Sequence, residues 1–295
     1  MDPTPIKITL LPINCENDEE AGQVVDGVAG QTTSLDLLKA HYPCDGCLVD
    51  LNDKELWDHT RPLVKDCRVS LLYFQHPKGN EVFWHSSAHV IGAAIEIILG
   101  VEITVGHAQE NGFFYDVFPV ERKIDADALK EIENKCKEIV KSKASNERKA
   151  VTREEAMTVF PQNHYKQEIF RESVEPGSLV TLYRTGTFID LCRGPHLVGV
   201  SAIEKWWVCD VSASNFAGRE DYPVTRIRAI TFPQKKLMND YKHFIEEAER
   251  RDHRRIGTEM GLFFTHPWSP GCPFMYPAGA AVLNRLMEMI RSQYR

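Results

Sequence analysis

Two short segments hold the residue types that hydrolytic or metal chemistry requires. His85-Ser-Ser-Ala-His89 places two imidazoles four residues apart, which on a helix puts them on one face. Asp190-Leu-Cys-Arg-Gly-Pro-His196 supplies a thiol, Cys192, and a third imidazole, His196, at the same spacing around a Gly-Pro bend. Three histidines and a cysteine form a ligand set that zinc accepts readily. They form equally a set of proton donors and acceptors able to orient water for hydrolysis. Either half alone has a bland explanation, as a hydrogen-bonded core histidine or a chance spacing. Together, with the Asp190 carboxylate two residues before the thiol, they point to one site. Cys192 stays open between pocket wall, weak donor and metal ligand. Cys44-Asp-Gly-Cys47 also has CxxC spacing, but no second pair lies at zinc-ribbon distance, so it reads as incidental.

The elements that must carry these residues follow from periodicity. Phe83 to Leu99 is apolar nearly all round, which predicts a buried helix ended by Gly100 and presenting His85 and His89. Asp125 can cap an amphipathic helix through about Ser142, with Leu129, Ile132, Cys136 and Ile139 as its inner stripe. Thr152-Arg-Glu-Glu155 has capping-box spacing for a third, short helix. Strand-like runs occur at 112–117, 179–183, 206–211 and 225–231. Ahead of them, Ile6-Lys-Ile-Thr-Leu10 alternates like a half-buried strand and 24–27 ends a second. Ser34 can cap a short helix over 35–40, and 49–56 and 68–74 give further strand material around a turn at Asn52-Asp53. Gln75 to Asn80, with its Pro and Gly, reads as a linker. Pro233 opens a charged helix to about Ile256, stopped by Gly257, and 277–295 is helical again.

Composition sets the outer bounds. At 295 residues, 43% hydrophobic and 26% charged, the chain is globular and long enough for about two domains. Its net charge of −7 argues at first against a nucleic-acid partner, but the charge is uneven. Residues 1–60 hold three Lys/Arg against twelve Asp/Glu, a net −9, while the remaining 235 residues sum to +2. Basic stretches lie at 135–149 (net +4) and 250–255 (net +3), as solvated helix faces or phosphate contacts. No uninterrupted apolar run reaches the roughly 20 residues of a membrane span. Eight cysteines in a chain of this size predict reduced thiols and a cytoplasmic location.

The HxxxH and CRGPH pair resembles the editing domain of threonyl-tRNA synthetases, with a looser likeness to that of alanyl-tRNA synthetases. Asn111-Gly-Phe-Phe-Tyr-Asp116, Tyr165-Lys166 and Arg251-Asp-His-Arg-Arg-Ile-Gly257 resemble further motifs of the threonyl family, in order. Leu262-Phe-Phe, Ser269-Pro-Gly and Arg291-Ser-Gln-Tyr-Arg295 resemble the entry to its class II catalytic domain. Asp26-Gly27 and Leu56-Trp-Asp58 resemble its TGS domain. One departure stands at Asn215, where the family has a tyrosine.

The resemblance implies an α+β chain. A ubiquitin-like β-grasp (TGS) domain would span 1–75 and a larger α+β editing domain 80–232. A linker helix over 233–256 and an incomplete class II catalytic domain over 257–295 would follow. It implies hydrolysis of mischarged seryl-tRNA(Thr) in a pocket of His85, His89, Cys192 and His196 beside Lys166 and Asp190. Lys166 would stabilise charge, Asp190 would bind the seryl ammonium, and the two helix histidines would orient water or ribose hydroxyls. Lys141, Lys143, Arg193, Arg251 and Arg254 are the expected tRNA contacts. No metal is expected at the editing site; His85, His89, Cys192 and His196 are the ligands if zinc binds. ATP and a threonine-reading zinc belong to the catalytic domain beyond residue 295, so aminoacylation is not expected here. The expected partner is tRNA(Thr), without a membrane, and the full-length enzyme is expected to be a homodimer. A non-catalytic RNA-binding module and a free-standing editing factor are the alternatives.

Overall fold

The computed structural model describes residues 4–15, 21–41, 48–51, 55–118, 123–216 and 222–294. The Cys44/Cys47 pair and the Asn52-Asp53 turn lie outside the described residues. The architecture is mixed α+β with several sheets, in two compact units, Met1–Lys235 and Lys236–Arg295.

The first unit opens with a five-stranded sheet. Its strands are β1 (Pro5–Leu10), β2 (Gln23–Val28), β3 (Leu48–Leu51), β4 (Leu56–Trp57) and β5 (Cys67–Leu72), in the order β2-β1-β5-β3-β4. β1 and β5 run parallel and the other pairs antiparallel. The alternation of β1 turns Ile6, Ile8 and Leu10 inward, onto Leu37 of helix α1 (Ser34–His41), Trp57 and Val69. Ser34 is not the cap of α1. Thr33 accepts from the Asp36 N–H (3.3 Å), and the Asp36 carboxylate accepts from the Thr33 N–H (2.9 Å), a capping box one residue earlier.

The segment 75–80 is not a linker. Helix α2 runs from Pro77 to Leu99, with His76 as its cap: His76 Nδ1 accepts from the Lys78 N–H at 3.2 Å. Pro77 fits the first turn because its missing N–H would have had no helical partner. Gly79 is required there, since a Cβ would overlap the Tyr73 carbonyl oxygen. Gly79→Ala is therefore expected to cost about 1–3 kcal/mol of overpacking, read as a lower urea midpoint at unchanged slope. Gly100 ends α2 at φ 64°. By length and composition α2 could cross a membrane, yet Val82 through Ile95 are buried inside the unit except for half-buried His85.

Helix α2 packs on α3 (Ala126–Lys141) and on a four-stranded sheet of order β11-β12-β7-β6. Those strands are β6 (Ile103–Gln109), β7 (Gly112–Val117), β11 (Lys205–Asn215) and β12 (Pro223–Phe232). Trp84 Nε1 donates to the Thr231 carbonyl (2.9 Å) and Ser87 meets the Thr231 hydroxyl (2.7 Å), so β12 fixes the rotation of α2. The expected caps Asp125 and Thr152 are present, and Ala128, Ile132 and Cys136 form the fully buried line of α3. A smaller sheet, β10-β9-β8, completes the unit with β8 (Asn146–Thr152), β9 (Leu179–Thr185) and β10 (Phe188–Leu191). Against it pack α4 (Arg153–Val159) and α5 (His164–Ser173), whose buried residues close a core around Phe160, Phe170 and Leu182.

In the second unit, the expected single helix is two. α6 (Lys235–Arg250) breaks at Arg251, and Asp252 caps α7 (His253–Glu259) by accepting from the Arg254 N–H at 2.8 Å. Gly257 lies inside α7, where a Cβ would overlap the Phe263 ring. The hairpin β13 (Phe263–Thr265) and β14 (Pro273–Met275) leads to α8 (Pro277–Gln293), which leaves Leu283, Leu286 and Ile290 exposed.

Candidate active site

Three elements of the first unit converge on one buried cluster of polar side chains. α2 brings His85 and His89 on one face, with Ser86 beside them. β10 brings Asp190, the chain leaving it brings Cys192 and His196, and the first turn of α5 brings Lys166. The segment after β10 turns at Gly194 (φ 67°) and a cis Gly194-Pro195 peptide, with Cys192 N–H held on the Thr181 carbonyl of β9 (3.1 Å).

Cys192 Sγ lies 3.2 Å from His85 Nε2, 3.2 Å from His196 Nε2 and 3.2 Å from the Gly194 N–H, which donates to it. The His196 tautomer follows from Ser86. The Val82 carbonyl takes the only proton of Ser86 Oγ (2.8 Å), and Ser86 accepts from the Leu197 N–H (2.9 Å). Its 3.2 Å contact with His196 Nδ1 therefore assigns the ring proton to Nδ1 and leaves Nε2 as an acceptor facing the thiol. The rings of His85, His89 and His196 lie 4.0–5.7 Å apart by centroid. Burial holds all three imidazoles neutral: His85 is lowered to about 3, His89 to about 4, and His196 well below the usual value. The Cys192 thiol is pushed up by burial, with Asp190 and Asp58 adding to the shift, so no thiolate nucleophile is available near pH 7.

Beneath the histidines sits a buried ion pair. Lys166 Nζ lies 2.8 Å from Asp190 Oδ1, both residues being 5% exposed or less. Asp190 Oδ1 also accepts from the Leu191 N–H (2.8 Å), and Oδ2 accepts from the Tyr115 hydroxyl. Burial opposes the Asp190 charge, but Lys166, His89 and the two side-chain hydrogen bonds outweigh it and hold the carboxyl below its ordinary range. One acceptor position on Oδ2 is left, toward His89 Nε2 at 3.9 Å. His89 Nδ1 is buried and has no partner among the described residues.

The donor atoms of His85, His89, Cys192 and His196 all lie within 4.8 Å of one another, and the lone pair of His196 Nε2 points inward. The set therefore fits a zinc, which when bound would acidify a water. It fits equally a thiol–imidazole hydrogen-bond cluster without an ion.

The expected tRNA contacts are spread more widely. Arg193 is exposed at the bend between Cys192 and His196. Lys141 ends α3 and Lys143 lies on the turn after it, both exposed; that turn runs beside the segment following His196, where the Val200 N–H donates to the Ala144 carbonyl (3.0 Å). Arg251 and Arg254 belong to the second unit, where they pair with Glu247 (3.1 Å) and Asp252 (2.7 Å). Asn215 is exposed at the end of β11, and the residues after Phe216 that complete its motif lie outside the described residues. Tyr115, Ser86 and Tyr183 belong to the pocket without having been singled out. Tyr115 stood in the Asn111–Asp116 motif and Ser86 between the two histidines, which were the available signals.

No protein-family model matches the chain. Among curated proteins it is 39% identical over 277 residues to a probable threonine--tRNA ligase 1, cytoplasmic, of Dictyostelium discoideum, covering 92% of this chain and 39% of that protein. It is 36% identical over 297 residues to threonine--tRNA ligase 1, cytoplasmic, of Homo sapiens, covering 100% of this chain and 40% of that protein. Threonine--tRNA ligase 2, cytoplasmic, of Mus musculus is 41% identical over 240 residues, 81% of this chain and 30% of that protein. The chain thus spans about two-fifths of the length of the relatives it matches along its whole extent.

Proposed function

We propose that this chain, a homologue along its whole length of cytoplasmic threonine--tRNA ligases, carries the proofreading part of such a ligase and hydrolyses mischarged seryl-tRNA(Thr). The observation that carries the reading is the pocket's pairing of neutral imidazoles and a protonated thiol with a buried Lys166–Asp190 ion pair. Hydrolysis of an aminoacyl ester needs a positioned water, a charge for the oxyanion and an anion for the substrate ammonium. His85 and His89 orient the water or ribose hydroxyls, His89 through its unpartnered Nδ1. Lys166 spends one N–H on Asp190 and lies over the Phe160 ring (4.3 Å to its centroid), and its remaining donor capacity serves the oxyanion. Asp190 offers its remaining Oδ2 position to the seryl ammonium. His196 and Cys192 form the wall that holds His85 in place. A covalent cysteine route finds no support, because the thiol stays protonated. Such a site serves accuracy, since the methyl that separates threonine from serine is worth only about 1–3 kcal/mol in a binding pocket.

The domain reading goes with it. The order β2-β1-β5-β3-β4, with only β1 and β5 parallel, suits a TGS β-grasp domain over 1–75. The editing domain follows over 80–232, then the linker over 233–256 and the start of a class II catalytic domain over 257–295. ATP, a threonine-reading zinc and a homodimer interface belong to the full-length ligase, and Arg193, Lys141 and Lys143, all exposed, are the cations offered to the tRNA phosphates. The pocket works without a metal.

The test is to mix the chain with pre-formed seryl-tRNA(Thr) and threonyl-tRNA(Thr) and follow both esters. Selective loss of the seryl ester is expected; loss of neither at any concentration would favour a non-catalytic RNA-binding module. Threonine-dependent pyrophosphate exchange by this chain would overturn the reading of it as the proofreading part alone. One stoichiometric zinc, lost on His89→Ala, would overturn the metal-free reading.

A further inference from the structure

The pocket is braced from outside by a residue of the N-terminal sheet. Asp58, directly after β4, is 9% exposed, and its Oδ2 accepts from the Tyr183 hydroxyl at 2.6 Å across 125 residues of chain. Its other oxygen accepts from the Thr60 N–H (2.9 Å) and the Thr60 hydroxyl (2.6 Å), so the carboxylate is fixed in direction. Tyr183 lies on β9 directly opposite Asp190 on β10 and is 1% exposed. Its ring packs edge-on against His196 with centroids 4.5 Å apart. Its hydroxyl presses against Gly194, where a Cβ would overlap it. Gly194 in turn donates its N–H to Cys192 Sγ. Three contacts thus join four groups in series: Asp58, Tyr183, the Gly194 bend, and the Cys192–His196 pair.

We propose that Asp58 is a positioning residue of the hydrolytic pocket, acting through the Tyr183 hydroxyl to hold the Gly194 bend, and with it Cys192 and His196, against α2. The N-terminal sheet is then part of the active-site scaffold and not a separate appendage. The inference rests on the hydrolase reading for its kinetic consequence but not for the contact itself. Burial, with the Asp58 charge adding, keeps Tyr183 protonated well beyond neutral pH, so it stays a donor at working pH. Without its acceptor the hydroxyl has no fixed direction, and the ring that backs His196 can shift. Small displacements at a reacting centre cost far more in turnover than in binding.

The test uses the full chain with Asp58→Asn, Tyr183→Phe and the double variant. Asp58→Asn keeps the shape but, with its oxygen held by the Thr60 N–H, turns an NH2 toward Tyr183 in place of the acceptor, and Tyr183→Phe keeps the ring; the urea midpoint of each variant reads any loss of fold. Each single variant is expected to lower kcat for seryl-tRNA deacylation about tenfold with KM within about twofold, and the double variant to be no worse than either single. Ring ¹⁵N spectra should show His196 shifted in both variants, with His243 and His253 unchanged. Losses that multiply in the double variant, a loss confined to KM, or an unshifted His196 would overturn the proposal. A wild-type chain that hydrolyses neither ester would refute the hydrolase reading alone, and the His196 resonance would then decide the Asp58 link by itself.

Discussion

Lys166→Met is expected to destabilise the first unit by about 3–5 kcal/mol and to abolish deacylation to within the background rate. The size follows from what is left behind. Asp190 is 5% exposed, and after the substitution its carboxylate keeps only the Tyr115 hydroxyl and the Leu191 N–H. Two neutral donors do not replace a cation at 2.8 Å, so the charge must either remain unpaired or take up a proton. The second course separates folding from function. Asp190→Asn in the Lys166→Met background removes the buried charge while its oxygen still accepts from Tyr115 or Leu191. That double variant should regain most of the lost stability, read as the urea midpoint, yet remain inactive by about 10²-fold or more because the oxyanion donor is gone. A Lys166→Met loss below about 1 kcal/mol would mean that water screens the pair as it screens surface pairs.

The residues of the pocket were legible from spacing, but what orients them was not. His85 and His89, Cys192 and His196 each declare themselves as i and i+4 pairs. Their convergence depends on which strands pair across the chain, and the period-2 pattern of a strand fixes its inward face but not its partner. Tyr183 faces Asp190 through β9–β10 pairing, and Asp58 reaches Tyr183 from another sheet, so neither could be found by periodicity. Local misreadings have local causes. Thr33 and Ser34 are both able to cap, and only the Asp36 carboxylate three residues on decides for Thr33. The Pro and Gly of 77–79 resemble a linker in composition, whereas Pro is at home in a first helical turn and Gly79 answers to the Tyr73 carbonyl. The charged run over 233–256 continues in helical register across Asp252, yet its carboxylate caps the next turn instead of extending the last.

Acidification should weaken the fold between about pH 6.5 and pH 4, well above the range where carboxylates alone would act. His89 is fully buried, and its ring is lowered to about 4 from an ordinary value near 6.5, burial being the main cause. The unfolded chain therefore binds a proton in this window that the folded chain refuses, so stability falls as pH drops and levels off below about 4. His89 alone contributes about 3 kcal/mol to that loss. His59, lowered to about 4 by burial, and His196 act in the same sense, and so does His85, whose ring is lowered to about 3 and extends the loss to that pH. Glu96 on α2 acts in the opposite sense. Burial raises it to about 7, with Asp190 and Glu102 adding and Lys166 opposing, so the folded chain takes up its proton first and gains stability as pH falls. Asp190 contributes nothing until lower pH: its depressed carboxyl stabilises the fold above about pH 4 and loses that only as pH falls through its folded value. Urea unfolding of the wild type and of Glu96→Gln, at intervals from pH 7.5 to pH 4, separates these contributions. The variant should show the steeper decline, and ring ¹⁵N shifts of His89 should stay those of a neutral imidazole down to about pH 5. An imidazole that charges near pH 6.5 would place His89 in contact with solvent and remove the basis for a dry hydrolytic pocket.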